Sequence, residues 1–277
     1  MERSTKELVE KIHAIAFELL CDVDDYCRAN DIPYYLSGGS CLGAVRHGGF
    51  IPWDDDADIM MPRAHYERFL RGFAEAYRDK YRVGALETAA DWQSPSARIW
   101  NIHTRLDRKT VHEPTTGVFI DAFPIDGLPE GKLARKLYYR RMKLYNVLRN
   151  ASSRQSFYEG ERFRAVKLLL GRIMRRFPAR PFAVRIDAMA RKFPFEGSKY
   201  VGAVMAVHYW ERETIERSQM DHAVYLPFEG REFPLPNGYH QYLTNLYGDY
   251  MRIPQGAAEK GFSHLDRWEV HIGEDAL

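Results

Sequence analysis

Four aspartates, Asp54, Asp55, Asp56 and Asp58, crowd the segment IPWDDDADIMMPR at residues 51–63. Carboxylates this close repel one another and are costly to desolvate, so a bare acidic run belongs on an open surface. The apolar Ile59, Met60 and Met61 that follow mark a buried strand instead. Along a strand alternate side chains share a face, which places Asp54, Asp56 and Asp58 on one side and Asp55 and Ala57 on the other. Two or three carboxylates so arranged can hold one or two divalent cations, and all-oxygen donors favour Mg²⁺ or Mn²⁺ over Zn²⁺. A calcium loop of the EF-hand type does not fit: its sixth position would be Ile59 rather than Gly, and its twelfth His65 rather than Glu. The competing reading is a solvated acidic turn.

Two other segments carry groups of the same kind. In GVFIDAFPIDG, Asp121 sits inside an apolar strand, where an unpaired charge is expensive; it is expected as a third metal-binding carboxylate, against pairing with an arginine or capping a turn. Asp126 of the same segment is assigned to the turn that follows. In SGGSCLGAVRHGG, Gly38 and Gly39 let backbone approach a ligand closely. Ser40 is expected at a helix N-terminus, where N–H groups and the helix dipole face a phosphate, the alternative being a plain helix cap. Arg46 and His47 at the end of that helix and Arg98 on a later strand are candidates for holding phosphate or carrying a proton, against surface salt bridges or a satisfied histidine.

The elements that must position these groups are legible. An N-terminal helix with a Ser4/Glu7 capping box and Leu8, Ile12, Ile15 and Leu19 at helical spacing ends near Asn30. PYYLSGGS reads as a strand entering a glycine turn, and SCLGAVRHG as a helix of about two turns closed by Gly48 and Gly49. The acidic segment reads as a second strand, RAHYERFLRGFAEAYRDKY as an amphipathic helix, and ARIWNIHTRL and GVFIDAFPIDG as strands, the latter closed by Asp126 and Gly127. Long basic helices follow, then from about Lys199 short strands and turns with Pro227, Pro234, Pro236 and Gly238, and the helix YHQYLTNLYGDY. There is no internal repeat or low-complexity linker. The pattern predicts an α+β fold: one domain over 1–277, its core at 30–130 and 199–255, with a basic helical insertion at 131–195.

The 277 residues suffice for a large core, and the net charge of +2 hides an asymmetry. Between Lys132 and Arg180 about 15 Lys and Arg face only Glu159 and Glu161. The stripe of Phe163, Val166, Leu169 or Leu170, Ile173 and Phe177 among these bases could lie on an anionic membrane or pack onto the core. Motifs of nucleic-acid-binding domains are absent, so no nucleic acid is expected as partner. Cys21, Cys27 and Cys41 form no metal-type pair and suit a reducing compartment. No apolar run approaches the roughly 20 residues that span a bilayer, and the first residues are amphipathic rather than leader-like, so a cytoplasmic protein, peripheral at the inner membrane face, is expected.

The block LSGGSCLGAVRHGGFIPWDDDADIMMPRAHYERF resembles the signature of the LicD family, which includes the fukutin-related proteins, within the nucleotidyltransferase superfamily. The resemblance continues through GVFIDAFPIDG and LPFEGREFPLPNGYHQYLTNLYGDYM, and weakens in the basic middle. It implies a nucleotidyltransferase-like mixed sheet in which Gly39 and Ser40 hold the donor phosphates, Asp56 and Asp58 bind the metal, and Asp121 supplies the third carboxylate. It also implies transfer of a substituted phosphate, such as phosphocholine or ribitol phosphate, from a CDP-linked donor to a glycan or lipid-linked glycan, as in lipopolysaccharide or teichoic acid modification. The cysteine zinc site of some relatives is missing, so no zinc is expected. On this reading Asp56, Asp58 and Asp121 are the catalytic set, while Trp53, Tyr247 and Asp249 shape the pocket for the donor head group, where aromatic faces suit a quaternary ammonium. Two alternatives stay open: a nucleotidyltransferase releasing pyrophosphate, and a non-catalytic metal-stabilised protein that binds nucleotide or glycan.

Overall fold

The structure, a computed structural model, describes residues 3–109, 114–154, 164–253, 255, 265 and 268–272. Helix α1 (Arg3–Ala29) buries Val9, Ile12, Ala16, Leu19, Val23 and Cys27, the apolar stripe of its amphipathic sequence. It already includes Arg3, so Ser4 lies inside the helix and is not its cap. Strand β1 (Tyr35–Leu36) leads into α2 (Gly38–His47), which stops at Gly48 with φ of 68°, a left-handed conformation that glycine adopts without steric cost.

Then come β2 (Ala57–Pro62), α3 (Arg63–Ala76), β3 (Tyr81–Gly84), β4 (Ala97–Asn101), β5 (Thr104–Arg108) and β6 (Phe119–Leu128). Three helices follow, α4 (Lys132–Ser153), α5 (Arg164–Met174) and α6 (Arg180–Ala190), then β7 (Tyr200–Gly202) and β8 (Ile215–Glu216). The hairpin β9 (Ala223–Phe228) and β10 (Arg231–Pro236), helix α7 (Tyr239–Tyr247) and β11 (Trp268–Ile272) complete the described elements.

The main sheet has the order β1-β2-β6-β4-β3, parallel between β2 and β6 and antiparallel elsewhere, with β7 and β8 continuing it from the far half of β6. β6 is central because its ten residues are nearly all buried and can be covered on both faces. Helix α3 packs Tyr66, Phe69, Leu70 and Phe73 into the core, where Phe73 stacks with Tyr77 and Tyr81; much of the aromatic content is packing. A second apolar cluster joins α4 and α6 to the end of β6 and to the short helical turn 204–206 through Tyr139, Met142, Ile186 and Met205. The α+β architecture with a mixed sheet flanked by helices is the one expected from the sequence.

Three local expectations differ. β2 begins only at Ala57, because Asp54 N–H donates to Ile51 O at 2.9 Å and closes a tight turn with Pro52 inside it; residues 54–56 are not strand. ARIWNIHTRL is two strands in two sheets: Asn101 Oδ1 accepts from His103 N–H at 2.8 Å, turning the chain so that β5 pairs with β11. Asp126 is no turn residue, since β6 runs through it and pairs it with Gly202.

Candidate functional site

The register of the sheet assembles the site. Asp58 of β2 is paired with Asp121 of β6, and Asp121 with Arg98 of β4, so three charged residues lie at one level across three adjacent strands. Side chains in register on neighbouring strands share a face. Arg98 donates from Nε to Asp121 Oδ1 at 2.8 Å and from Nη2 to Oδ2 at 2.9 Å, with its guanidinium 3.6 Å over the Phe119 ring. Of the readings open for Asp121, pairing with an arginine is realised, and Arg98 is engaged there rather than standing alone for phosphate.

The turn before β2 supplies the other carboxylates. Oxygens of Asp54, Asp55 and Asp56 lie within 4.8 Å of one another, so Asp55 does not point to the opposite face as strand alternation requires. Asp55 and Asp56 reach Asp121 across a cavity of about 110 Å³, which they line together with Arg98 and His208. Burial, reinforced by Asp56, Asp121, Asp54 and Glu213, pushes the Asp58 carboxyl well above the usual carboxylate range. Burial, then Asp56 and Asp55, does the same to Asp54. Such a set costs free energy when all its members are ionised and fits a hard cation that neutralises them.

Helix α2 aims its first turn at this cluster. A Cβ on Gly38 would stand 3.0 Å from Asp58 Oδ2, and one on Gly39 2.7 Å from Asp54 Oδ2. Gly38, at φ of 47°, also sits in the left-handed region and needs glycine, whereas at Gly39 the obstacle is the end of the Asp54 side chain. Cys41 N–H is the first to bond back along the helix, to Ser37 O, which leaves the Gly39 and Ser40 amides in the orphan first turn. Ser40 is the third helical residue, and its Oγ accepts from Asp58 N–H at 2.8 Å, tying the glycine turn to the aspartate strand.

A tyrosine set closes the back of the site. Tyr247 faces the position above Gly38 and contacts Tyr209 edge-on at 5.3 Å. Tyr242 accepts from Gly38 N–H at 3.3 Å, lies 3.1 Å from Ser37 Oγ and donates to buried Glu213. Tyr209, Tyr242, Glu213, His208 and His13, whose Nε2 lies 2.7 Å from Asp54 O, were not singled out from sequence. His13 and Tyr242 lie on helices that the sequence shows, but nothing in their spacing marks them as site residues, and only the fold brings the five to the aspartates.

The remaining expected residues flank the site. Arg46 and His47 occupy the opposite end of α2, roughly 12 Å along its axis from Gly38. Arg46 donates to Tyr250 O at 2.9 Å, and His47 meets Trp53 edge-on at 5.8 Å. Asp249 is exposed beyond α7, and no contact among the described residues joins it to the aspartates.

Glu213 gives a stability prediction. Burial raises its carboxyl from 4.5 to about 8, the Tyr242 hydrogen bond opposing this. A raised carboxyl contributes stability that is full below about pH 4.5 and is lost as pH rises through about 8. Glu213→Gln, which keeps the neutral shape, is therefore expected to match the native melting temperature at pH 5 and exceed it by several degrees at pH 9, read by thermal melts at both.

Residues 31–130 match the family described as LicD/FKTN/FKRP, nucleotidyltransferase domain. The chain is 32% identical over 253 residues to the lipopolysaccharide cholinephosphotransferase LicD of Haemophilus influenzae, covering 88% of this chain and 93% of that protein. A 32-residue stretch is 56% identical to the human ribitol 5-phosphate transferase FKRP, covering 12% of this chain and 6% of that protein. The chain belongs to the LicD family.

Proposed function

We propose that the protein is a Mg²⁺-dependent transferase that moves a substituted phosphate, phosphocholine or a close analogue, from a CDP-linked donor to a glycan hydroxyl and releases CMP. The observation that carries this is the pairing of Asp58 with Asp121 directly opposite the glycine-led first turn of α2. The names of the two relatives, one a cholinephosphotransferase and one a ribitol 5-phosphate transferase, support phosphoryl-linked transfer.

Asp56 and Asp58 would hold the cation, with Asp54 and Asp55 in reach and Asp121 completing the set. The bound ion would supply positive charge to neutralise the donor diphosphate. The Gly39 and Ser40 amides at the positive end of α2 receive phosphate oxygens, which side chains at 38 and 39 would obstruct. Asp121, held in one orientation by Arg98, accepts the proton from the acceptor hydroxyl. That oxygen attacks the distal phosphorus, the bond from phosphorus to the CMP oxygen breaks, and a phosphodiester forms. Tyr209 and Tyr247 offer aromatic surface to the head group, whose pocket the sequence reading gave to Trp53, Tyr247 and Asp249.

Thermal stabilisation tests the reading, because ligands of the folded state raise its melting temperature. A Mg²⁺-dependent shift with CDP-choline or CDP-ribitol, and CMP as product once acceptor is added, is expected. Shifts only with nucleoside triphosphates, with pyrophosphate as product, would replace it by nucleotidyl transfer. No shift with any nucleotide would leave a non-catalytic binding protein. Gly39→Ala forces Asp54 to move but only at the end of its side chain, so turnover is expected to fall about 100-fold, the scale of a 1 Å misplacement, with the melting temperature little changed.

The basic helices bear on where the reaction occurs. No helix of the described residues is long and apolar enough to cross a membrane. Of the expected stripe, Phe163 and the side chains of Val166 and Leu170 lie outside the described residues, but Leu169 is 64%, Ile173 51% and Phe177 53% exposed, and Leu133, Leu137, Leu144 and Val147 form an exposed row on α4. We assign this apolar and basic surface to peripheral contact with anionic lipid at the inner membrane face, on charge complementarity. Flotation with vesicles containing about one-third phosphatidylserine should show binding that disappears at high salt, as Debye screening requires; absence of binding at low salt excludes the contact.

A further inference from the structure

Val184, Arg185 and Ala188 share one face of α6, where Val184 is 43% exposed, and Lys192 follows in line just beyond the helix end. With Arg141 and Tyr145 of α4 they line a surface groove of about 640 Å³ between the two helices. Among the described residues no carboxylate lines it, because Asp187, the acid of α6, turns away to Arg63 and Arg191. Arg180, at the start of α6, is committed to the fold: its guanidinium donates to the carbonyls of Leu86, Ala89 and Trp92. Arg141, Arg185 and Lys192 are different. Among the described residues their side chains make no hydrogen bond, ion pair or ring contact.

Three cations that converge without a counter-charge repel one another, and an anion between them removes that cost. Tyr145, Val184 and Met189 supply apolar surface in the same groove. Bases beside apolar surface match an anionic amphiphile, its head on the bases and its chain on the apolar groups. The groove is also continuous with the exposed row of α4: Arg141 is four residues from Leu137 and three from Leu144, so the three are neighbours on the helix surface. An acyl chain leaving the groove therefore meets the surface already assigned to lipid. The lack of a carboxylate then selects the head group. A serine or ethanolamine head group brings an ammonium that finds no partner here. A phosphate monoester carries nearly two negative charges near pH 7 and offers three acceptor oxygens to two guanidiniums and one ammonium.

We propose that this groove seats the head group of phosphatidic acid, one lipid per chain, and thereby docks the α4–α6 face on the membrane. This rests on the peripheral lipid contact inferred above and names its lipid. Arg141, Arg185 and Lys192 hold the phosphate, Val184 and Met189 take the first methylenes, and the leucine row of α4 enters the acyl region beside them.

Flotation of the full chain with phosphatidylcholine vesicles containing either phosphatidic acid or phosphatidylserine, matched in surface charge, tests this. The phosphatidic acid vesicles are expected to bind about tenfold more tightly, the worth of one charge-assisted hydrogen bond. Arg185→Gln combined with Lys192→Gln is expected to bring that ratio to about one. Lys132→Gln combined with Lys136→Gln removes the same charge from α4 outside the groove, and is expected to weaken binding to both lipids while leaving the ratio unchanged. All four side chains are exposed, so both variants keep the native melting temperature. An unchanged ratio in the groove variant overturns the proposal. So does displacement of the phosphatidic acid vesicles by millimolar inorganic phosphate at constant ionic strength, which reassigns the groove to free phosphate. Equal binding of both lipids by the native protein removes the groove and leaves the peripheral contact standing, whereas no binding to any anionic vesicle sinks both.

Discussion

Asp58→Asn is expected to abolish transfer, by about 10³-fold or more, and at the same time to raise the melting temperature of the metal-free protein by about 3 °C, a shift of the size a kilocalorie or so produces in a chain this long. Both effects have one cause. Asp58 is pressed by burial and by the charges of Asp56, Asp121, Asp54 and Glu213, all of the same sign. The carboxyl is raised, so its contribution to stability is full only below the ordinary aspartate range and is lost as pH rises through its folded value. Replacing it with a neutral isostere removes that loss, so the advantage of the variant should grow with pH and vanish near pH 4. Mg²⁺ should reverse the order by stabilising the native protein and leaving the variant unmoved. Melting curves at two pH values, with and without Mg²⁺, beside a turnover assay check all of this; a variant less stable than the metal-free native protein at pH 8 would contradict the repulsion account.

The second large effect lies away from the chemistry. Arg63 donates from Nε to Asp126 Oδ1 at 2.8 Å and from Nη2 to Oδ2 at 2.6 Å, and from Nη1 to Asp187 Oδ1 at 2.9 Å. Asp126 is 1% exposed, and burial pushes its carboxyl up even with Arg63 beside it. Arg63→Ala strands that carboxylate, at a cost of about 3–5 kcal/mol. Asp187 keeps Arg191, so the loss centres on Asp126. The sign with pH follows: a raised carboxyl is tolerated while protonated, so the deficit should be smaller at pH 5 than at pH 8. Urea unfolding of Arg63→Ala and of the double variant Arg63→Met with Asp126→Leu checks it. The double variant should recover most of the loss, because an apolar pair of similar volume replaces the ion pair without stranding a charge. Equal destabilisation in both would show that Arg63 acts through packing on Tyr66 rather than through charge.

The bridge from α3 to β6 and α6 through Arg63 also shows where sequence reading stops. Asp126 followed by Gly127 has the local chemistry of a turn, and turn chemistry is decided by neighbours in the chain. Here β7 pairs with that stretch and Arg63 meets the carboxylate, so a strand forms. The same limit applies to Asp55, which strand alternation sends away from Asp54 and Asp56. The turn closed by Asp54 N–H and Ile51 O puts all three together.

By itself the sequence determined the α+β class, most of the elements, the two glycines at the head of α2, and the crowding of the aspartates. Each is a short-range property: hydrophobic period, glycine's freedom at positive φ, and the cost of crowded carboxylates are all set within a few residues. Tertiary structure alone decided that Asp58 and Asp121, 63 positions apart, share one level of a parallel pair. It decided that Arg98 is Asp121's partner, that Glu213 and Tyr242 back the glycine turn, and that the end of α4 lines one cavity with Asp121. These depend on strand register and on helix packing, which are selected by the burial of the whole core and carry no local signature.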